Sequence, residues 1–312
     1  ATSGPWQLLE LDIANLHDTV RQRALPVRVL LPATGKTHPV VVFSHGAGGS
    51  RLAHLAQARH LASHGYAVLA VEHPGSNRDD LSLLRPRASL ARMTQDAGEV
   101  LGRPGDIRFV LDRAAEWHLN HPQLQNRLDL GAVAVVGHSF GAYTALAACG
   151  ARPALDGLQP PQGRGLSPSL ADHRITACVA LSPQAPGAPF FLPGSFATLA
   201  RPVLGISGSA DRQQGEVAPA ARREAFALWP AGAHRFVWLA HADHGAFADS
   251  GGASRQLPSR TRRDAQPLVR ATTLLFLEWQ LRGERAADAL LDEASLRPLL
   301  RGKVDAVEVL RR

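Results

Sequence analysis

A serine hydroxyl becomes a nucleophile only when a histidine takes its proton and a carboxylate holds that histidine in the right tautomer. The stretch Gly137-His138-Ser139-Phe140-Gly141 is where this sequence offers such a serine. It lies between an apolar run, Ala132 to Val136, and a run rich in small residues that includes Ala142, Ala145, Ala147 and Ala148. Strand, sharp turn and helix is the context that makes Gly-x-Ser-x-Gly a nucleophile elbow, with the glycines letting the two elements pass closely. The chemistry implied is attack of Ser139 on a carbonyl carbon.

Partners for Ser139 are expected downstream, each in a loop at the carboxyl end of a strand. The run from Pro202 to Gly208 reads as a strand and leads to Asp211, and the run from Arg235 to Ala240 leads to His244. Ser139, Asp211 and His244 therefore stand in the order nucleophile, acid, histidine, each just past a strand. Among 14 histidines there are rivals. His138 sits inside the elbow, pointing away from the hydroxyl, and His45 belongs to a glycine-rich turn. His241 immediately follows its strand and is placed to support the loop, and Asp243 adjoins its own histidine too closely to reach the ring's far nitrogen. A metal site from His241, Asp243 and His244 matches no metalloprotease spacing. The apolar run Val40 to Phe43 enters Ser44-His45-Gly46-Ala47-Gly48-Gly49-Ser50, a loop able to aim backbone amides at a developing oxyanion. The amides of Ala47 and Phe140 are the expected oxyanion donors.

These positions need a sheet to hold them. Leu8 to Ile13 and Leu25 to Leu31 read as an antiparallel opening pair, the second bounded by Pro26 and Pro32. Beyond them strands alternate with helices: helix from about Leu52 to His64, strand Tyr66 to Val71, helix Pro104 to His118, the elbow, strand Ile175 to Leu181, helix Ala218 to Trp229, and helix Ala265 to Arg282. The expected fold class is α/β, a mostly parallel twisted sheet of about eight strands with helices on both faces. Residues 1–312 carry no repeat and no dividing linker, and are expected to form one domain. A Pro/Gly-rich excursion at about 150–172 is long enough to act as a flap near the site, and a short helical tail is expected after Arg282.

Composition narrows the partners. Of 312 residues 45% are hydrophobic and 20% charged, so a large core is feasible. The net charge of +7 comes from Lys and Arg spread along the chain, without a nucleic-acid motif or an aromatic-interleaved basic stripe, so no nucleic-acid partner is expected. No apolar run reaches the length of a membrane span, so stable membrane insertion is not expected. The numbering starts without Met, as after processing; removal of a secretory signal would imply a periplasmic or secreted protein, and its absence a cytoplasmic one. Cys149 and Cys178 would pair in an oxidising compartment or otherwise serve as small buried hydrophobes, and the sequence leaves both open. Oligomeric state is likewise not legible.

Four segments together carry a family resemblance: Phe43 to Ser50, Glu72-His73-Pro74-Gly75-Ser76, Arg103-Pro104-Gly105-Asp106 and the elbow. The combination resembles the α/β-hydrolases known as predicted dienelactone hydrolases. That group is similar to platelet-activating-factor acetylhydrolases and, more distantly, to cutinase-like polyester hydrolases. The resemblance spans roughly Trp6 to Gln280 and implies an α/β-hydrolase fold and a serine carboxylester hydrolase acting on small to medium esters without a cofactor. True dienelactone hydrolases carry cysteine where this chain has Ser139. Acetylhydrolases of that type place their acid after the sixth strand, where this chain has Ser182-Pro183, which leaves Asp211 as the acid. Phe190, Phe191 and Phe247 are candidate apolar walls for the substrate. An acyltransferase on the same triad, a polyester or lipid ester hydrolase, and a non-catalytic binding module are the alternatives.

Overall fold

The computed structural model describes residues 3–82, 84–187, 189–212, 218–249 and 259–312. The chain opens with β1 (Leu8–Ile13), the two-residue strands β2 (His17–Asp18) and β3 (Arg23–Ala24), and β4 (Val27–Pro32). Then β5 (His38–Ser44), α1 (Leu55–Ser63), β6 (Ala67–Val71), α2 (Pro86–Gln95), α3 (Ala97–Asn120), β7 (Leu128–His138) and α4 (Phe140–Ala148) build the elbow half. The second half holds β8 (Ile175–Leu181), β9 (Val203–Ala210), α5 (Pro219–Glu224), β10 (Arg235–Asp243), α6 (Arg262–Arg282), α7 (Arg285–Ala289), α8 (Glu293–Leu296) and β11 (Val307–Arg311).

The main sheet has nine strands in the order β1-β4-β6-β5-β7-β8-β9-β10-β11. From β6 to β10 neighbours run parallel; β1, β4 and β11 are antiparallel additions at the two edges. The ninth strand replaces part of the expected helical tail. After α7 and α8 the chain returns as β11 along β10, pairing Val309 with Val237. β-branched Val307 and Val309 flanking Glu308 are the strand signal that the short terminal segment carried.

Central strands are apolar on both faces, as parallel strands covered by helices must be. One face of the sheet packs α3 and α4 through Val40, Val42, Val135, Cys178, Ile107 and Tyr143. The other packs α1 and α6 through Val41, Ala134, Val136, Leu61, Phe276 and Leu268. Phe191 belongs to the first cluster and Phe247 to the second, both fully enclosed, so these two are core and not open walls.

The helix expected from Pro104 begins a full two turns earlier. Asp96 caps it, its carboxylate accepting from the Glu99 amide at 3.0 Å, and Pro104 lies inside α3. Proline removes the amide that would bond the Val100 carbonyl. The Tyr143 hydroxyl donates to that carbonyl at 2.8 Å, joining α3 to the elbow helix. The 150–172 excursion is stitched down: Ala97 N–H donates to Gln159 O at 2.8 Å, Ala154 N–H to Phe190 O at 2.8 Å and Asp172 N–H to Ala148 O at 3.1 Å. Among the described residues no helix is long and apolar enough to cross a membrane.

Cys149, at the carboxyl end of α4, is disulfide-bonded to Cys178 in β8 across a sequence separation of 29. Closing a loop of that length removes unfolded-state freedom worth about 3–4 kcal/mol. The double variant Cys149→Ala/Cys178→Ala should lose stability of that order in urea melts run under oxidising conditions. A wild-type melt unchanged by reductant would argue against the bond.

Candidate active site

Ser139 occupies the turn between β7 and α4 at φ 56° and ψ −119°, a conformation rare for a residue with a side chain. The glycines around it are steric requirements. A Cβ on Gly137 would stand 2.1 Å from the Gly141 carbonyl oxygen, and one on Gly141 would stand 2.0 Å from that of Ser44. The strained turn is held from both sides. Ser139 N–H donates to Leu181 O at 2.9 Å, and Gln184 Nε2 donates to Ser139 O at 2.8 Å.

The structure brings Ser139, His244 and Asp211 together. His244 Nε2 lies 3.1 Å from Ser139 Oγ, and its Nδ1 lies 2.7 Å from Asp211 Oδ1. With the Nδ1 proton assigned to the Asp211 side, Nε2 is free to accept from the serine hydroxyl. Burial opposes ionisation of Asp211. The hydrogen bond from His244, its charge, the Arg222 guanidinium and the Ser207 hydroxyl outweigh it and hold the carboxyl well below the usual carboxylate range. Ser207 Oγ donates to Oδ2 at 2.7 Å, and Arg222 Nε is 3.7 Å from the same oxygen.

Sequence reasoning noted Ser182 only as a position without an acid and assigned it no role. At the end of β8 with φ 58°, it donates to Asp211 Oδ1 at 3.0 Å, and its oxygen is 2.9 Å from His244 Nδ1. It touches acid and histidine at once. Its only sequence signal is position, since a strand-end residue next to the elbow strand points at the same crevice. Arg222 and Gln184 come from other elements, whereas Ser207 stands four residues before Asp211 on the strand leading to it and carries no mark of its contact.

The rival residues have other tasks. His138 Nε2 contacts the His244 carbonyl oxygen at 3.1 Å, bracing the histidine's backbone. His241 is exposed beside Asp305. Asp243 accepts from Ser259 Oγ and the Arg260 amide, at 2.5 and 2.9 Å, and so fastens the loop after β10 to the start of α6. Phe190 packs on Phe140 and Tyr143 with ring centroids 5.6 and 5.1 Å away.

The loop after β5 lies against Ser139. A Cβ on Gly46 would be 3.4 Å from Ser139 Cβ, and the chain then turns through Gly48 at φ +70°. Gly48 N–H donates to Ser76 O at 2.9 Å and Gly49 N–H to Gly46 O at 3.0 Å. Among the described residues the amides of Ala47 and Phe140 have no protein acceptor in the turns and loops. Phe140 N–H is also an orphan by helical geometry, being the first of α4.

Residues 39–287 match the family model for the alpha/beta hydrolase fold, and the chain belongs to that family. It is similar to the platelet-activating factor acetylhydrolase of Canis lupus familiaris, 28% identical over 145 residues covering 37% of this chain and 32% of that protein. The guinea pig (Cavia porcellus) enzyme of the same name is 29% identical, covering 36% and 32%. Hydrolyase poxO of Penicillium oxalicum is 32% identical over 165 residues, 52% of this chain and 28% of that protein. The chain thus aligns with about a third or less of each of these relatives' length.

Four enclosed histidines surround the site. Burial, reinforced by neighbouring positive charge, keeps His45, His73 and His138 well below the usual histidine range, and burial lowers His54 to about 4. In the unfolded chain these rings take up protons below about pH 6.5, while in the fold they stay neutral. Folding stability should therefore be intact at neutral pH and fall as pH drops through that value, each ring adding up to about 1.4 kcal/mol per pH unit. His54 ceases to contribute below its own value of about 4. Urea melts at pH 7.5, 6 and 5 check this; a flat profile would contradict neutral burial.

Proposed function

We propose that this chain is a serine carboxylester hydrolase working as one α/β-hydrolase domain, with Ser139 as nucleophile, His244 as general base and acid, and Asp211 orienting His244. The observation that carries the reading is the continuous contact from Ser139 Oγ through His244 to Asp211, at 3.1 and 2.7 Å. Similarity to acetylhydrolases supports an ester as the bond attacked.

In this mechanism His244 Nε2 accepts the Ser139 proton as Oγ bonds the ester carbonyl carbon. The carbonyl electron pair moves onto oxygen, to which the amides of Ala47 and Phe140 donate hydrogen bonds. Removing one such donor typically lowers turnover by about a hundredfold or more. Asp211, ionised and buried, stabilises the imidazolium that forms. Its position is over-determined by Ser182, Ser207 and Arg222, which keeps Nδ1 fixed while the charge appears. The imidazolium then protonates the leaving alcohol, and water repeats the sequence on the acyl-enzyme. The steps use side chains, two backbone amides and water, and the substrate class is a small to medium ester.

The wild type should hydrolyse p-nitrophenyl esters in a series from acetate to longer acyl chains, and intact mass should show one adduct after treatment with a serine-reactive organophosphate. Ser139→Ala should lower kcat by about 10⁴-fold or more and take no adduct. Turnover retained in that variant would sink the assignment. Product esters formed on adding acceptor alcohols would instead favour acyl transfer to alcohol.

A further inference from the structure

The segments Glu72 to Ser76 and Arg103 to Asp106 take no part in the chemistry above, yet they converge directly behind the loop that follows β5. Ser44 Oγ is 2.9 Å from His73 Nε2, and His73 Nδ1 is 2.9 Å from Asp106 Oδ2. This is a second serine, histidine and aspartate in line. All three are completely enclosed, so no substrate reaches Ser44 and the row is not a second nucleophilic site.

Its protons have only one arrangement that satisfies every member. Burial and the charges of Arg103, Arg23 and Arg21 keep His73 neutral. With Nδ1–H directed to Asp106, Nε2 accepts the Ser44 hydroxyl proton. The lone pairs of Ser44 are then left for Arg103, whose Nη2 is 3.3 Å away. The same Nη2 donates to the His45 carbonyl, and the guanidinium carbon lies 4.2 Å from the centroid of the Phe140 ring. His73 N–H donates to His45 Nε2 at 3.0 Å, gripping the same residue from its ring side.

Arg103 is an expensive residue to enclose. Its Nε and Nη1 have no hydrogen-bond partner among the described residues, and an apolar side chain of similar volume would suit a core better. What the guanidinium does touch are two segments, His45 leading into Ala47, and Phe140. We propose that Asp106, His73, Ser44 and Arg103 are positioning residues forming one hydrogen-bonded relay that sets both oxyanion amides, Ala47 through the His45 carbonyl and Phe140 through its ring. The inference rests on the reading of those two amides as oxyanion donors.

Matched oxygen and thiono esters of one acid test it, because thiocarbonyl sulfur accepts hydrogen bonds weakly and profits little from well-aimed amides. The wild type should prefer the oxygen ester strongly. In Ser44→Ala and Arg103→Met, kcat for the oxygen ester should fall about tenfold, a fraction of what losing a whole donor does. KM and thiono turnover should change little, so the oxygen-to-sulfur ratio narrows by the same factor. Arg103→Lys should recover part of it. A ratio unchanged from wild type in folded Ser44→Ala would overturn the relay and leave the oxyanion reading standing. A wild type without preference for oxygen would overturn that reading, and the relay with it. Should Arg103→Met fail to fold, Ser44→Ala, which deletes one oxygen, decides.

Discussion

The elbow helix rests on the carboxyl end of the neighbouring strand with no side chain between them. Gly141 lies so close to the Ser44 carbonyl that a Cβ would overlap it, and Gly137 is equally close to Gly141. These approaches make the Ser139 turn and the β5 loop one mechanical unit, since neither backbone can move without the other. The positive φ of Ser139 follows from the same constraint: the chain must reverse from β7 into α4 within a single residue. Strain of this kind, of order 1–3 kcal/mol, persists only where its surroundings over-determine it. Here the surroundings are the Leu181 carbonyl, the Gln184 amide, the fully enclosed α4 and, at that helix's end, the disulfide to β8.

Electrostatics divides the molecule behind the site in two. On the β9 side a single buried carboxylate, Asp211, is kept ionised by hydroxyl donors, Arg222 and His244. On the β6 side Arg21 and Arg23 share Asp106 between them, while Arg23 also binds Glu99 and Arg21 also binds Asp18. Burial holds Arg103 down to about 9 against the pull of Glu99 and Asp106. Breaking a buried pair of this kind is far more damaging than never having built it, because a lone charge remains. Both clusters lie behind the β5 loop and the Ser139 turn, the Arg103 guanidinium touching His45 and the Phe140 ring on one side and Asp211 reaching His244 on the other.

The parts of this arrangement that were legible in the sequence are those fixed by local pattern. Gly137 and Gly141 around Ser139, the apolar runs Val40 to Phe43 in β5 and Ala132 to Val136 in β7, and loops following β9 and β10 are readable because sterics and burial act on neighbours in sequence. Element edges were less so. The start of α3 was missed because Pro104 reads as a first-turn residue, whereas the Tyr143 hydroxyl, distant in sequence, satisfies the carbonyl that Pro104 leaves free. The edge strand β11 was missed because its pairing partner, β10, ends more than sixty residues earlier. The contacts of Ser182 and Arg222 with Asp211 lie beyond sequence reasoning altogether, since a serine or arginine carries no mark of what the fold will place beside it.

Ser182 and Asp211 reach the same ring nitrogen from neighbouring strand ends. The ends of β8 and β9 are adjacent in the sheet, and both present a side chain to His244 Nδ1: the Ser182 hydroxyl at 2.9 Å and the Asp211 carboxylate at 2.7 Å. Either position is close enough to deliver a carboxylate to the ring. The strand that does not supply the charge is left with a group that must neither compete for the imidazole proton nor repel the acid. A hydroxyl meets both conditions, because it donates to Asp211 Oδ1 while its oxygen faces the Nδ1 proton. A second carboxylate there would oppose ionisation of the first at so short a distance. The serine after β8 is thus the complement of an aspartate after β9, and the pair defines the carboxylate's position by sheet geometry instead of by loop length.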